Sequence, residues 1–468
     1  MGVLKHPLPY QHDSALLFER IADEPWAMLL DSGQAHDAAG QPGSQYGQYD
    51  ILVAKPIATI VTHGNTTTVF ENEKTRLSEE DPFVLLNQLL ARYQAEDVGV
   101  PFAGGAVGYF AYDLGRRLEK IADKNTPEAI PEMMLGIYDW AVVVDHRAKK
   151  TTLISHGFSE KTKENWQMLC GLFSEPVDRK ATAFKTMSET QCNFTNESYL
   201  KAFDHIKSYI QAGDCYQVNL AQRFEADVEG DSWIAYKKLR EISPAPFMAY
   251  MQFPHQEDNC FQVLSNSPER FVQVVGDHVE TRPIKGTRPR AEDVAEDLAN
   301  AQALQNSAKD QAENLMIVDL LRNDIGKSCK TGSVKVEKLF QLQSFANVHH
   351  LVSIVVAKLK QSATVIDLLK GCFPGGSITG APKVRSMQVI EELEPNRRGV
   401  YCGAIGYIGF DGKMDTNIAI RTAVINQGKM SYYAGGGIVA DSDGPKEYLE
   451  TLDKASTMIK LLKFFKKT

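Results

Sequence analysis

The chain has 468 residues, 43% of them hydrophobic and 24% charged, and a formal net charge of −8. That length implies two or three lobes, or one large intertwined domain. The acidic balance argues against a nucleic-acid binder, which carries a basic footprint, and no stretch approaches the ~18 apolar residues of a membrane span.

Seven cysteines are scattered without a CxxC pair. This fits reduced thiols rather than a disulfide frame or a zinc site. The segment Met1–Pro7 lacks the apolar core of a secretion signal. A cytoplasmic protein is the expectation.

In chain order, Asp50–Ala54, Ile57–Val61 and Trp140–Asp145 are rich in β-branched residues and predict strands. Residues 34–48, rich in Gly, Gln and Ser, predict a loop. Gly104, Gly105 and Gly108 lie in an apolar, aromatic run, which predicts a strand closely approached by another backbone. Residues 1–175 therefore read as an N-terminal lobe, and the polar, aperiodic residues 176–194 as a linker. In the remaining region, 195–468, Tyr199, Phe203, Ile206 and Ile210 predict a helix capped at Thr195 or Asn196 and stopped at Gly213. Strands are expected at 216–224, 262–266, 271–275 and 403–410, and helices at 308–322 and 445–465. Strands and helices that do not alternate regularly favour an α+β fold over a doubly wound sheet.

Several segments carry groups able to do chemistry. Lys285 lies between Pro283, which stiffens the chain, and Gly286, which admits close approach of a ligand. Glu269 lies upstream in Ser267-Pro-Glu-Arg270. An amine, a carboxylic acid and further carboxylates downstream suggest covalent chemistry on a small anionic substrate. On the first expected helix, Asp310 and Glu313 share a face. That face either holds a hard divalent ion or meets solvent, with Lys309 and Arg322 as partners. On the second, Asp443 can cap, Glu447 and Glu450 point the same way, and Glu450 and Lys454 have salt-bridge spacing. Magnesium takes one or two protein carboxylates and completes its octahedron with water and substrate oxygens, so one Glu from each helix suffices.

Phe373–Lys383 is glycine-rich, contains Ser377 and Thr379, and precedes helical spacing at Val384, Met387 and Ile390. It reads as an anion site at a helix N-terminus or as a capped tight turn. Gly435, Gly436 and Gly437 interrupt a strand pattern, which signals close approach of a ligand or a bulge. Asn417–Thr422 alternates, so Arg421 faces away from Ile420 and Thr422. If it points inward it needs a carboxylate. His349 and His350 adjoin a β-like run, so at most one faces a given site.

These segments, together with Gly213–Phe224, resemble the chorismate-utilising synthases nearly end to end, and most closely their aminodeoxychorismate-forming branch. The resemblance implies a large two-lobed antiparallel β-sandwich core with helices packed outside, residues 195–468 being the chorismate-binding region. It implies Mg2+ at Glu313 and Glu450, with Glu447 nearby. It implies substrate contacts from Gly286, Thr287, His350, Thr379, Tyr401, Arg421, Gly435, Gly436, Gly437 and Lys454. Glu269 matches the general acid at the C4 hydroxyl. Lys285, where the anthranilate branch carries Ala, matches a nucleophile that adds at C2 as a neutral amine. Gln217 stands where water-activating relatives carry a base Lys, so hydroxylation is disfavoured.

No glutaminase nucleophile turn is present, so the resemblance implies ammonia from a separate glutamine amidotransferase subunit. Pro25–Gly33 resembles a tryptophan-holding region, with Ser32 as a contact and Asp31 where anthranilate enzymes carry Glu. The rival readings are an anthranilate synthase large subunit and a catalytically silent tryptophan- or chorismate-binding regulator. A silent module has no need of Glu269, Lys285, Glu313 and Glu450 together.

Overall fold

The computed structural model describes residues 2–33, 47–175, 179–254, 260–344 and 348–466. Of the expected loop at 34–48, only Gly47 and Gln48 fall within them. The described residues build two antiparallel sheets of 13 and 12 strands, with helices outside, an α+β architecture.

Side-chain alternation along the strands shows how the layers stack. In Trp140–Asp145, Ala141 and Val143 enter one apolar cluster, while Trp140, Val142 and Val144 enter another. In Gly105–Phe110, Val107 and Tyr109 join the same cluster as Val143, and Ala106 and Phe110 join a third. The shared cluster is the sandwich interior between the sheets. The other two lie under the helices on the outer faces. Strands buried on both faces read as continuous apolar runs, which is why these segments were conspicuous. A side chain at Gly108 would run into the Met134 carbonyl, the close backbone approach expected there.

Each sheet takes strands from both sides of residues 176–194. Met28–Asp31 pairs with Phe247–Pro254 in the first sheet, and Gly105–Phe110 with Ala404–Gly409 in the second. Within 176–194 itself, 176–178 lie outside the described residues, while Lys185–Thr186 and Gln191–Cys192 pair with the long strand Gln217–Glu229. The helix Asn196–Gln211 starts with a capping box between Thr195 and Ser198. Among the described residues no helix is long and apolar enough to cross a membrane.

Candidate active site

The site gathers where the strand Ile284–Pro289, the helices Ala308–Gly326 and Gly444–Phe464, and the glycine strand Lys429–Ile438 converge. The strand Ile284–Pro289 pairs with Val348–Lys358, and its register slips between Lys285 and Thr287. The residue at the slip is Gly286, with φ +78°. A Cβ there would sit 2.7 Å from Leu304 and 2.9 Å from Asp310. Only glycine meets both demands, and its bareness lets the helix Ala308–Gly326 lie against the strand that carries Lys285. Asn314, next to Glu313, anchors that helix by donating to the Leu351 carbonyl at 3.2 Å.

Lys285 Nζ donates to the Ser377 carbonyl at 3.3 Å. The hydroxyl of the same serine donates to Glu269 Oε1 at 3.0 Å. Glu269 is 6% exposed. Burial pushes its carboxyl up to about 7, although Lys285, Ser377, the Ile284 backbone and Lys454 all pull it down. Near neutral pH it holds a proton it can give.

The carboxylates lie on the other side. Asp443 caps the helix Gly444–Phe464 by accepting from Lys446 N at 3.2 Å. Glu447 is buried and accepts from Ser442 Oγ at 2.7 Å. Glu450 Oε1 pairs with Lys454 Nζ at 2.6 Å, and Lys454 also donates to the Gly435 carbonyl at 3.0 Å. A Cβ at Gly436 would lie 3.2 Å from Glu447 Oε2 and 3.6 Å from Glu450 Oε1, so both carboxylates rest over bare backbone. Burial raises the Glu313 carboxyl; Lys285 and Lys309 offset part of this, and Asp310 and Glu447 add to it. Burial would also raise Glu450, but Lys454, then Lys309 and Lys285, turn the net shift downward. Lys309 is the hub: burial opposes its charge, yet Glu447, Glu313, Asp441 and Glu450 together raise its pKa.

These residues fit a hard divalent ion of the magnesium kind. Among the described residues no three acidic, His or Cys side chains form a closed cage. An ion that takes one carboxylate from each of two helices and otherwise binds oxygens of water and substrate does not need one. The like-charged pressure of Asp310 and Glu447 on Glu313 suits such an ion.

The two histidines divide as adjacent strand residues must. His350 is buried and its Nδ1 lies 2.9 Å from Thr287 Oγ1. Burial, with Arg421 and His349 adding, pushes its pKa down to about 3 against a pull from the Gly286 backbone, so it is neutral. His349 instead meets Ser344 and Asp297 at 2.8 and 3.0 Å.

Arg421 is not on a strand. Met414–Ile418 ends before it, Thr422–Asn426 begins after it, and its φ is +50°. A left-handed residue at the break, rather than strand alternation, sets its direction. Burial lowers its pKa, and its guanidinium has no carboxylate partner among the described residues.

Thr379 is fully buried, and its hydroxyl bonds the Gly375 carbonyl at 3.0 Å. A two-residue strand, Gly380–Ala381, separates its turn from the helix Lys383–Leu393. Tyr401 stacks on Tyr433 with centroids 5.2 Å apart and borders a cavity of about 230 Å3, along with Arg223 and Arg398. Gln217 is fully buried against Gly437, and neither end of its amide is bonded among the described residues. Ser32 lines a different cavity of about 510 Å3, along with Asp31, Tyr49, Met248 and Arg270. Its amide donates to Asp50 Oδ1 at 2.7 Å, and Ser32 helps hold that buried carboxylate in its charged form.

Sequence reasoning missed Ser377, which touches both Lys285 and Glu269. Its position inside a glycine-rich turn was the only available signal.

Known proteins resemble this chain in sequence and fold. Residues 33–460 match the family described as chorismate binding enzyme. The chain is 46% identical to aminodeoxychorismate synthase component 1 of Salmonella typhimurium, across 97% of this chain and 96% of that protein. It is 36% identical to anthranilate synthase component 1 of Pseudomonas putida, across 97% and 93%. The crystal structure of anthranilate synthase component I from Streptococcus pneumoniae superposes with a TM-score of 0.75 at 32% identity, over 89% of this chain and 93% of that one. The chain belongs to the chorismate binding enzyme family.

Proposed function

We propose that this chain is the large subunit of an aminodeoxychorismate synthase, converting chorismate and ammonia to 4-amino-4-deoxychorismate. The observation that carries the reading is the meeting of Lys285 and Glu269 on one residue, Ser377, at 3.3 and 3.0 Å. An amine and a proton-bearing acid side by side suit addition at one ring carbon with loss of a hydroxyl from another.

The chemistry balances in two steps. The Lys285 amine adds at C2, the two conjugated ring double bonds shift round the ring, the C4–O bond breaks, and Glu269 supplies the proton that lets water leave. Ammonia then adds at C4, the electrons return, and the C2–N bond to Lys285 breaks. In this reading Arg421, with no carboxylate partner of its own, takes a substrate carboxylate. Neutral His350 orients Thr287, and the bare backbone at Gly435–Gly437 lets the ring lie close. Glu313 and Glu450, with Glu447 adjoining, would hold Mg2+, which supplies Lewis acidity at a substrate oxygen when bound.

The relatives' designation as component 1 supports a second component. We assign that role to a glutamine amidotransferase that delivers ammonia. The product feeds a lyase that yields 4-aminobenzoate for folate. The cavity bearing Ser32 would hold tryptophan, whose amino and carboxylate groups suit its polar lining of Asp31, Ser32 and Arg270.

The test is product identity. Purified chain with chorismate, Mg2+ and ammonium should form 4-amino-4-deoxychorismate, converted to 4-aminobenzoate only when a lyase is added. Fluorescent anthranilate without a lyase would overturn the reading in favour of an anthranilate synthase.

A further inference from the structure

We infer that Ser377 is a positioning residue of the amination, holding the acid through its hydroxyl and the amine through its carbonyl. The inference rests on the Lys285–Glu269 reading and adds to it a residue that itself forms no bond to substrate.

The turn that carries Ser377 is wedged in place. A Cβ at Gly376 would lie 2.2 Å from Leu320 of the helix Ala308–Gly326, and one at Gly375 would lie 2.8 Å from Ile418. Ile418 is also what fixes Glu269. Its N–H donates to the Glu269 carbonyl at 3.0 Å, and its own carbonyl accepts from Ser267 Oγ at 2.6 Å. The two backbones that bring Ser377 and Glu269 together therefore share one neighbour. Ser377 is 6% exposed, and its hydroxyl has one partner among the described residues, Glu269.

The two contacts differ in chemistry. A carbonyl only accepts, so it takes an N–H of Lys285 and leaves the nitrogen lone pair free for the ring. A hydroxyl that donates to Glu269 holds the carboxylate more strongly than the acid. Its bond therefore strengthens as the proton leaves, and it lowers the barrier to C4–O cleavage. The charged and titratable groups facing Glu269 are Lys285, Lys454 and Cys402. Ser377 adds a neutral donor that lowers the Glu269 pKa.

The experiment compares Ser377→Ala and Ser377→Thr with the wild type, following 4-amino-4-deoxychorismate formation at saturating ammonium and Mg2+ across pH. The Ala variant keeps the backbone contact to Lys285 and loses only the hydroxyl. Its kcat should fall about 10- to 100-fold, the worth of a hydrogen bond to a charged group, with KM for chorismate little changed. Its alkaline limb should move to higher pH, because a donor that favoured the carboxylate is gone. The Thr variant should restore both. A merely structural role would move neither the limb nor the balance of kcat and KM. Wild-type kcat in Ser377→Ala, an unmoved limb, or a Thr variant no better than Ala would overturn the inference. Should Ser377→Ala melt early, Ser377→Cys, which keeps the volume and weakens the donor, is judged by the same criteria. Lys285→Ala run alongside separates the two levels. If it aminates at the wild-type rate, the underlying reading fails; if it is inactive while Ser377→Ala behaves as wild type, only the role of Ser377 fails.

Discussion

Glu269 and Glu450 are the same side chain in opposite settings. Glu269 is buried on a strand junction, meets a hydroxyl and sits at about 7. Glu450 keeps half its side chain exposed on a helix, pairs with Lys454, and is shifted downward. One glutamate is therefore kept as an acid and the other as an anion within a single site. Environment, rather than residue type, sets the two apart, and the proposed roles of proton donor and ion ligand follow from it.

Substitution should separate the two. Glu269→Gln should lower kcat by about 10²- to 10⁴-fold, the usual worth of a general acid, and no amount of Mg2+ should restore it. In the wild type, activity should decline as pH rises through about 7, where Glu269 loses its proton. Glu450→Gln should instead raise the Mg2+ concentration needed for half-maximal rate, and added Mg2+ should partly rescue it. Glu447→Gln, beside the proposed ligands, should weaken Mg2+ affinity by about 10- to 100-fold. Rescue of Glu269→Gln by Mg2+, or indifference of Glu450→Gln to it, would erase the distinction.

A smaller effect concerns stability. The folded Glu269 carboxyl lies above its ordinary value, so between pH 4.5 and about 7 the native state binds more protons than the unfolded chain. Stability from this group is present at the acid end and lost as pH rises through that window, by ~3 kcal/mol at most. Glu269→Gln should therefore raise Tm at pH 8 and leave it nearly unchanged at pH 5. Gly286→Ala should cost stability at every pH, by roughly 1–2 kcal/mol of left-handed strain besides its contacts with Leu304 and Asp310, and calorimetry of both variants checks the pair.

The sequence singled out the candidate residues more readily than their geometry. Lys285, Glu269, Glu313 and Glu450 stand in segments whose spelling is distinctive, and helical spacing placed the last two on helices. Strand existence was legible from β-branched runs. Sheet membership was not, because the pairing of Met28–Asp31 with Phe247–Pro254 is a tertiary choice between segments far apart in the chain. Arg421 was expected to gain its direction from strand alternation, whereas a left-handed residue between two strands supplies it. Ser377 was legible only as part of a glycine-rich turn; its tie to Lys285 and Glu269 was not, because those partners lie 92 and 108 residues away and only the folded turn brings them together.

The most direct test is the rate of C4 amination by Lys285→Ala, measured with chorismate, ammonium and Mg2+ on a variant shown to melt like the wild type. The account predicts no 4-amino-4-deoxychorismate above background, because the first bond to C2 cannot form. Amination at the wild-type rate would contradict it.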